Sequence, residues 1–165
     1  MIIKEDSKFN NIISIATYPT GKFSLEEIKM MAELIADGAD IKAFDWKVLG
    51  SFKNRVMDAV KLSMLTTLWD SATKLLVTNQ TTSPVGDETT PMTGIIYTAT
   101  SNQEVLRRVA NPYRICYQIT DETANGLWGS LVWTTSADSQ INRVRVPIQK
   151  PIGKSVFIEL RAQLV

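Results

Sequence analysis

The chain of 165 residues contains no histidine and a single cysteine, Cys116. Histidine is the side chain that most often moves protons near neutral pH, and it is the commonest metal ligand. Its absence excludes, within one chain, Ser-His and Cys-His nucleophile pairs and every zinc or iron site that needs imidazole. A lone thiol likewise excludes sites built from two thiolates. We therefore expect a non-enzymatic protein with no metal and no cofactor.

The sequence also lacks a charge excess and long apolar runs. Lys and Arg number 18 against 17 Asp and Glu, so the net charge is +1, which argues against a protein that coats phosphates through its overall field. No run approaches the roughly 20 apolar residues of a membrane-spanning helix. Acidic residues at positions 5 and 6 disfavour a signal peptide. We expect no membrane partner and a cytoplasmic or virion location, where one thiol stays reduced.

What is present is the composition of an ordinary folded protein, with 44% hydrophobic and 21% charged residues. Length favours a single domain over residues 1–165. The spacing of the apolar residues divides this domain into a helical half at about 20–77, a Thr-rich loop or arm at 78–94 and an antiparallel β half at 95–165. The sequence therefore predicts an α+β fold, in which an N-terminal segment of two or three helices accompanies a C-terminal antiparallel sheet of four or five strands.

The first helix has the clearest signals. It is expected from about Leu25 to Asp37, because Ser24 and Glu27 form a capping-box pattern before it. Gly38 stands where a left-handed residue ends many helices. Apolar residues inside it recur at helical spacing. This pattern predicts one amphipathic helix with a buried face.

Two further helices are predicted after Gly38. Asp40 is expected to cap a short one that runs through Phe44, Trp46 and Leu49. The third is expected from Phe52 to about Leu76, where apolar residues recur every fourth position. At 1.5 Å per residue it would be roughly 35 to 40 Å long.

In the β half, strands are predicted at Ile95 to Thr100 and in the alternating segments that begin near residues 113, 127, 143 and 155. A short helix through Val105, Leu106 and Val109 is expected between the first two. Trp128 and Trp133 are expected on opposite faces of their strand, which therefore carries apolar side chains on both sides. Pro147 predicts an edge position or a bulge.

The candidate interface combines two features. The Thr-rich loop is long for a compact domain, and such loops are often functional, so Thr81, Pro84 and Thr90 are candidate contact residues. Residues 101–165 hold six arginines, and a guanidinium suits carboxylate, phosphate and interface pairing. Arg143 and Arg145 share a strand face, and Arg107, Arg108, Arg114 and Arg161 are expected near it. Trp128 joins them as an aromatic interface residue.

These observations favour a structural or assembly protein that forms homo-oligomers or docks with neighbouring structural proteins, such as a phage connector, tail or capsid-associated subunit. A small binding module that uses Arg143 and Arg145 for nucleic acid or an anionic ligand stays open but is not favoured. A hydrolase based on a Ser-Lys pair or on carboxylates, which occur in pairs at residues 87–88 and 121–122, is the third alternative.

Overall fold

The computed structural model describes residues 9–53, 55–56, 71–81, 93–108 and 113–164. Within these ranges lie ten β-strands, one α-helix and two short 3-10 turns. The strands are β1 (Phe9–Pro19), β2 (Lys47–Lys53), β3 (Arg55–Val56), β4 (Lys74–Thr78), β5 (Ile95–Ala99), β6 (Glu104–Arg108), β7 (Tyr113–Ile119), β8 (Gly126–Thr134), β9 (Gln140–Lys150) and β10 (Lys154–Leu164). The helix is α1 (Leu25–Ala36), and the turns are Ile41–Ala43 and Glu122–Ala124.

The strands form two antiparallel sheets of five strands each. The first sheet has the order β2-β1-β10-β7-β6, and the second has the order β3-β9-β8-β4-β5. The facing sides of both sheets contribute to one apolar cluster, for example through Ile13 and Ile158 from the first sheet and Leu75 and Val144 from the second. The fold is therefore a β-sandwich whose core lies between the sheets.

The predicted α+β fold with two or three N-terminal helices is wrong. Residues 9–78 contain one helix and four strands in their described part. The strands of the predicted C-terminal sheet are divided between two sheets, and each sheet is completed by strands from the N-terminal part. Pairing across the chain therefore joins the two segments that we had expected to fold as separate halves.

The first predicted helix is confirmed as α1. The Ser24 side chain accepts a hydrogen bond from the backbone N–H of Glu27, and the Glu27 carboxylate accepts one from the backbone N–H of Ser24. Gly38 follows the helix with a φ of +110°, a conformation that glycine adopts without a Cβ clash. The helix buries one face against the outer side of the first sheet, and the buried residues of this cluster are Tyr18, Ile28, Met31, Ala32, Ile35, Leu106, Cys116 and Phe157.

The second predicted helix is wrong beyond its cap. The Asp40 side chain does accept a hydrogen bond from the N–H of Lys42, but the turn that it begins ends at Ala43. Trp46 then stacks on Phe157, with ring centroids 4.9 Å apart. The next residues pair with β1 as strand β2. Anchoring of this aromatic side chain on the sheet outweighs the helical spacing of the apolar residues.

The third predicted helix is wrong at both ends, since Phe52 lies in β2 and Leu75 and Leu76 lie in β4. Its centre, residues 57–70, lies outside the described residues. The short helix through Val105 and Leu106 is also wrong, because these residues form β6 at the edge of the first sheet. The last predicted residue of that helix, 109, is not described.

A bulge between β8 and β9 changes which side chains share a face. Trp128 pairs with Ile148, but Ser130 pairs with Arg145, so two residues of β9, one of them Pro147, stand opposite Gly129. The extra residue confirms the predicted bulge at this proline. Trp128 and Trp133 consequently lie in the same core, so their predicted placement on opposite faces is wrong.

Gly129 lets the chain after β4 pass directly over the bulge. A Cβ atom at this position would lie 2.5 Å from the backbone oxygen of Gln80 and 2.6 Å from the backbone carbon of Asn79. Because backbone rather than a flexible side chain is in the way, we expect Gly129→Ala to lower the free energy of unfolding by about 1–3 kcal/mol. Urea unfolding followed by tryptophan fluorescence measures this change. An unchanged free energy of unfolding in Gly129→Ala would contradict this close approach of the two backbones.

Candidate functional site

The helix α1 is apolar on two sides. Ile28, Met31 and Ile35 are buried against the first sheet. Met30 and Leu34, one helical turn apart, are nevertheless 57% and 46% exposed. A helix on the surface of a monomer normally has one apolar stripe and an otherwise polar surface. The second stripe of α1 is thus a surface that burial in this chain does not explain.

The second stripe borders a groove. A cavity of about 270 Å³ lies between α1 and the segment after the Ile41–Ala43 turn. Met30, Met31 and Leu34 line one side of it, and Phe44 with Phe23 lines the other. Phe44 is held by an edge-to-face contact with Trp46, with ring centroids 5.2 Å apart. We call Met30, Leu34, Phe23 and Phe44 the helix groove.

Three of the predicted arginines form a row on the outer side of the first sheet. Arg108 pairs with Arg114, and Arg114 pairs with Arg161. Like charges directly opposite each other destabilise a sheet unless other groups compensate them. Arg114 bonds the buried carboxylate of Glu159 at 2.8 Å. Arg108 bonds the carboxylates of Asp37, the residue that ends α1, and of Glu33 within α1, and both raise its pKa.

The other predicted arginines lie elsewhere. Arg107 points toward the interior side of β6, where it bonds Glu104 and the backbone oxygen of Ala72. Arg143 and Arg145 share a face of β9 in the second sheet, as predicted from their spacing. Arg143 is fully buried, and burial lowers its pKa, whereas Arg145 is exposed. The six arginines therefore do not form a single cluster.

The remaining candidate residues are placed as follows. Trp128 has no exposed surface, and its indole N–H donates to the backbone oxygen of Ala124 at 2.8 Å, so it acts as a core residue in this structure. Thr81 is exposed at the end of a described range, and Pro84 and Thr90 lie outside the described residues. Met30 and Leu34 were missed. The signal in the sequence was that they are apolar but fall outside the buried stripe of the predicted helix.

Three polar groups in the core have incomplete hydrogen bonding. The side-chain amide of Asn142, on the core-facing side of β9 opposite Trp133, has neither its oxygen nor its nitrogen bonded within the described residues. The indole N–H of Trp133 and the hydroxyl of Tyr117 also lack a bond of ordinary geometry there. Burial raises the pKa of Tyr117 well above its usual value, the charge of Glu104 raises it further, and Arg107 and Trp133 oppose these effects only in part.

Of the acidic pairs, residues 87–88 are not described. Asp121 caps the second 3-10 turn, and Glu122 is the first residue of that turn. The Asp121 carboxylate accepts hydrogen bonds from the backbone N–H and the hydroxyl of Thr123, and these bonds lower its pKa. Among the described residues, no group of three or more acidic or thiol side chains is arranged to hold a metal ion. No helix in the described ranges has the length and apolar character needed to cross a membrane.

Comparison of this chain with protein-family models, with curated proteins and with solved structures finds no match.

Proposed function

We propose that this chain is a non-enzymatic assembly subunit that associates with copies of itself in a larger structure, of the kind found in virus or phage particles. The observation that carries the proposal is the exposed apolar stripe of Met30 and Leu34, which forms one side of the helix groove. Exposed apolar surface of this kind, rimmed by polar residues, is typical of protein interfaces. Aromatic and Met side chains are enriched in such interfaces.

Two properties favour copies of this chain as the occupant. The net charge of +1 produces little long-range repulsion between identical subunits. The stripe also lies on a single helix, and two such helices related by a two-fold axis bury the same residues on both sides. Neighbouring structural proteins would then contact other surfaces of the assembled subunits.

The test removes the apolar stripe and measures the mass of the assembly. We expect Met30→Glu/Leu34→Glu to shift the species observed by sedimentation velocity toward the monomer, because four charged groups would face each other across a two-fold contact. Leu127→Glu is the matched control, since Leu127 is equally exposed, at 54%, but lies on the second sheet. The control should assemble as the unmodified chain does. Equal assembly of both variants contradicts a role for α1.

A second candidate function is binding of an anionic ligand at the arginine row. Arg108, Arg114 and Arg161 lie in one cross-strand row, and exposed Lys53 extends it on β2 through Ile12. The carboxylates on Arg108 and Arg114 neutralise part of this row, which makes it the weaker candidate. Affinity for an oligonucleotide that stays the same from low to high salt would exclude this function.

A further inference from the structure

Lys150, the last residue of β9, is a lysine that exposes none of its surface. Its ammonium group donates to the side-chain oxygen Oδ1 of Asn125, with Nζ and Oδ1 2.5 Å apart. It makes no ion pair with a carboxylate of the described residues, although the charges of Glu122 and Asp121 act on it from farther away. Lysines are almost never fully buried without a charged partner. The position of this amine therefore needs an explanation beyond packing.

Both the oxygen and the nitrogen of the Asn125 carboxamide are hydrogen-bonded. It follows the second 3-10 turn, whose Ala124 is fully buried and accepts the hydrogen bond of Trp128. Its Nδ2 donates to the carboxylate of Glu122, and that carboxylate also accepts from the backbone N–H of Gly153 at 3.4 Å. Lysine can only donate and a carboxylate can only accept, so the carboxamide oxygen must face Lys150 and its nitrogen must face Glu122.

The Lys150 amine, the Asn125 carboxamide and the Glu122 carboxylate are the groups that an amide-forming reaction needs. The carbon Cγ of Asn125 is one bond of about 1.2 Å beyond the oxygen that Lys150 touches. With Nζ 2.5 Å from Oδ1, Nζ lies at most about 3.7 Å from Cγ, close to the separation of about 3–3.5 Å at which bound groups react. Burial lowers the pKa of Lys150, against the opposing effect of Glu122 and Asp121, and so favours the neutral amine that acts as a nucleophile.

We propose that Lys150 and Asn125 join in an intramolecular isopeptide bond, with Glu122 as the proton relay. The Nζ–Cγ bond forms and the Cγ–Nδ2 bond breaks. Once the Nζ–Cγ bond has formed, Nζ and Nδ2 are attached to the same carbon. The Glu122 carboxylate, which is already bonded to Nδ2, then takes a proton from Nζ and passes it to Nδ2, which leaves as ammonia. No oxidant, reductant or second substrate is needed. The reaction occurs once in each chain and is not turnover of a substrate.

The bond would close the β8-β9 hairpin covalently. Asn125 directly precedes β8, and Gly126 at the start of β8 pairs with Lys150 at the end of β9. A cross-link between these ends restricts the unfolded chain as a disulfide does. The chain has one cysteine, so it cannot form a disulfide within itself. The isopeptide bond supplies the same kind of constraint without thiols.

The test is mass spectrometry of the intact, purified chain. We expect a mass lower than the sequence mass by one ammonia, about 17 Da. Proteolysis should release a branched peptide in which fragments that contain Asn125 and Lys150 are joined, and fragmentation should place the junction at these two side chains. The full sequence mass together with two separate peptides would overturn the proposal.

A competing reaction loses the same mass, because the backbone nitrogen of Gly126 can attack the same Cγ to give a cyclic imide. Lys150→Met distinguishes the two reactions. The isopeptide reading predicts the full mass for this variant, whereas a retained loss without a branched peptide assigns the change to the imide and overturns the proposal. Glu122→Gln keeps the side-chain size and should prevent the cross-link, while Lys154→Met, which removes the lysine at the start of β10, should leave it intact.

Discussion

Replacing Trp128 by alanine is expected to lower the free energy of unfolding by about 3–5 kcal/mol, the range found for large aromatic side chains deleted from a core. Trp128 has no exposed surface and packs in the cluster between the two sheets. Its indole N–H also fixes the turn that carries Ala124. The variant therefore loses apolar contact and an anchor of the β8 entry loop. Urea unfolding with linear extrapolation measures the change.

Trp128→Phe separates the two contributions. It keeps an aromatic ring but removes the donor to the Ala124 oxygen, so we expect a smaller loss, about 1–3 kcal/mol. Unchanged stability of Trp128→Ala together with weaker self-association would contradict the core role. That result would instead support the prediction from sequence that Trp128 belongs to an interface.

Removing the carboxylate of Glu159 is the other change with a large expected effect. The side chains of Arg114 and Glu159 are 10% and 8% exposed, and they form the pair on the outer side of the first sheet. Without Glu159, the buried Arg114 lies between Arg108 and Arg161 in adjacent strands. Breaking a buried pair from one side typically costs about 3–5 kcal/mol. We expect this loss for Glu159→Ala, measured by chemical unfolding at constant salt.

Two controls test the electrostatic cause. The double variant Glu159→Leu/Arg114→Met removes both charges and should recover most of the lost stability, since apolar residues of similar volume often replace a buried pair without penalty. Asp45→Ala breaks the exposed pair with Lys22 and should cost less than about 1 kcal/mol. If the double variant is as unstable as Glu159→Ala, packing rather than charge explains the effect.

The sequence predicted the elements whose signals are local. The capping box and the stripe of α1 need only residues 24–35, and the alternation in β7 and β10 is visible within each strand. Prediction from the sequence failed where contacts between distant parts of the chain determine whether a segment is a helix or a strand. Leu75 and Leu76 fit both a helical spacing and a strand buried on two faces, and pairing of β4 with β8 and β5 selects the strand. β1, the strand between β2 and β10, carried no prediction at all.

The candidate site was only partly accessible to sequence reasoning for a related reason. Arg143 and Arg145 share a face because side chains alternate along a strand with a period of two, and their spacing in the sequence predicted this shared face. The separation of these residues from Arg108 and Arg114 depends on which strand enters which sheet, information that no local pattern contains. Lys150 and Asn125 meet only because β8 and β9 pair across a long hairpin. Contacts of this kind can be predicted only when the order of the strands in each sheet is known.

The central claim is that this chain functions by associating with copies of itself. Light scattering coupled to size exclusion, over a concentration series, tests it most directly. We predict a molar mass that is a fixed multiple of the 18.4 kDa subunit and that approaches one subunit in Met30→Glu/Leu34→Glu. A mass of 18.4 kDa at every concentration for the unmodified chain would contradict the account.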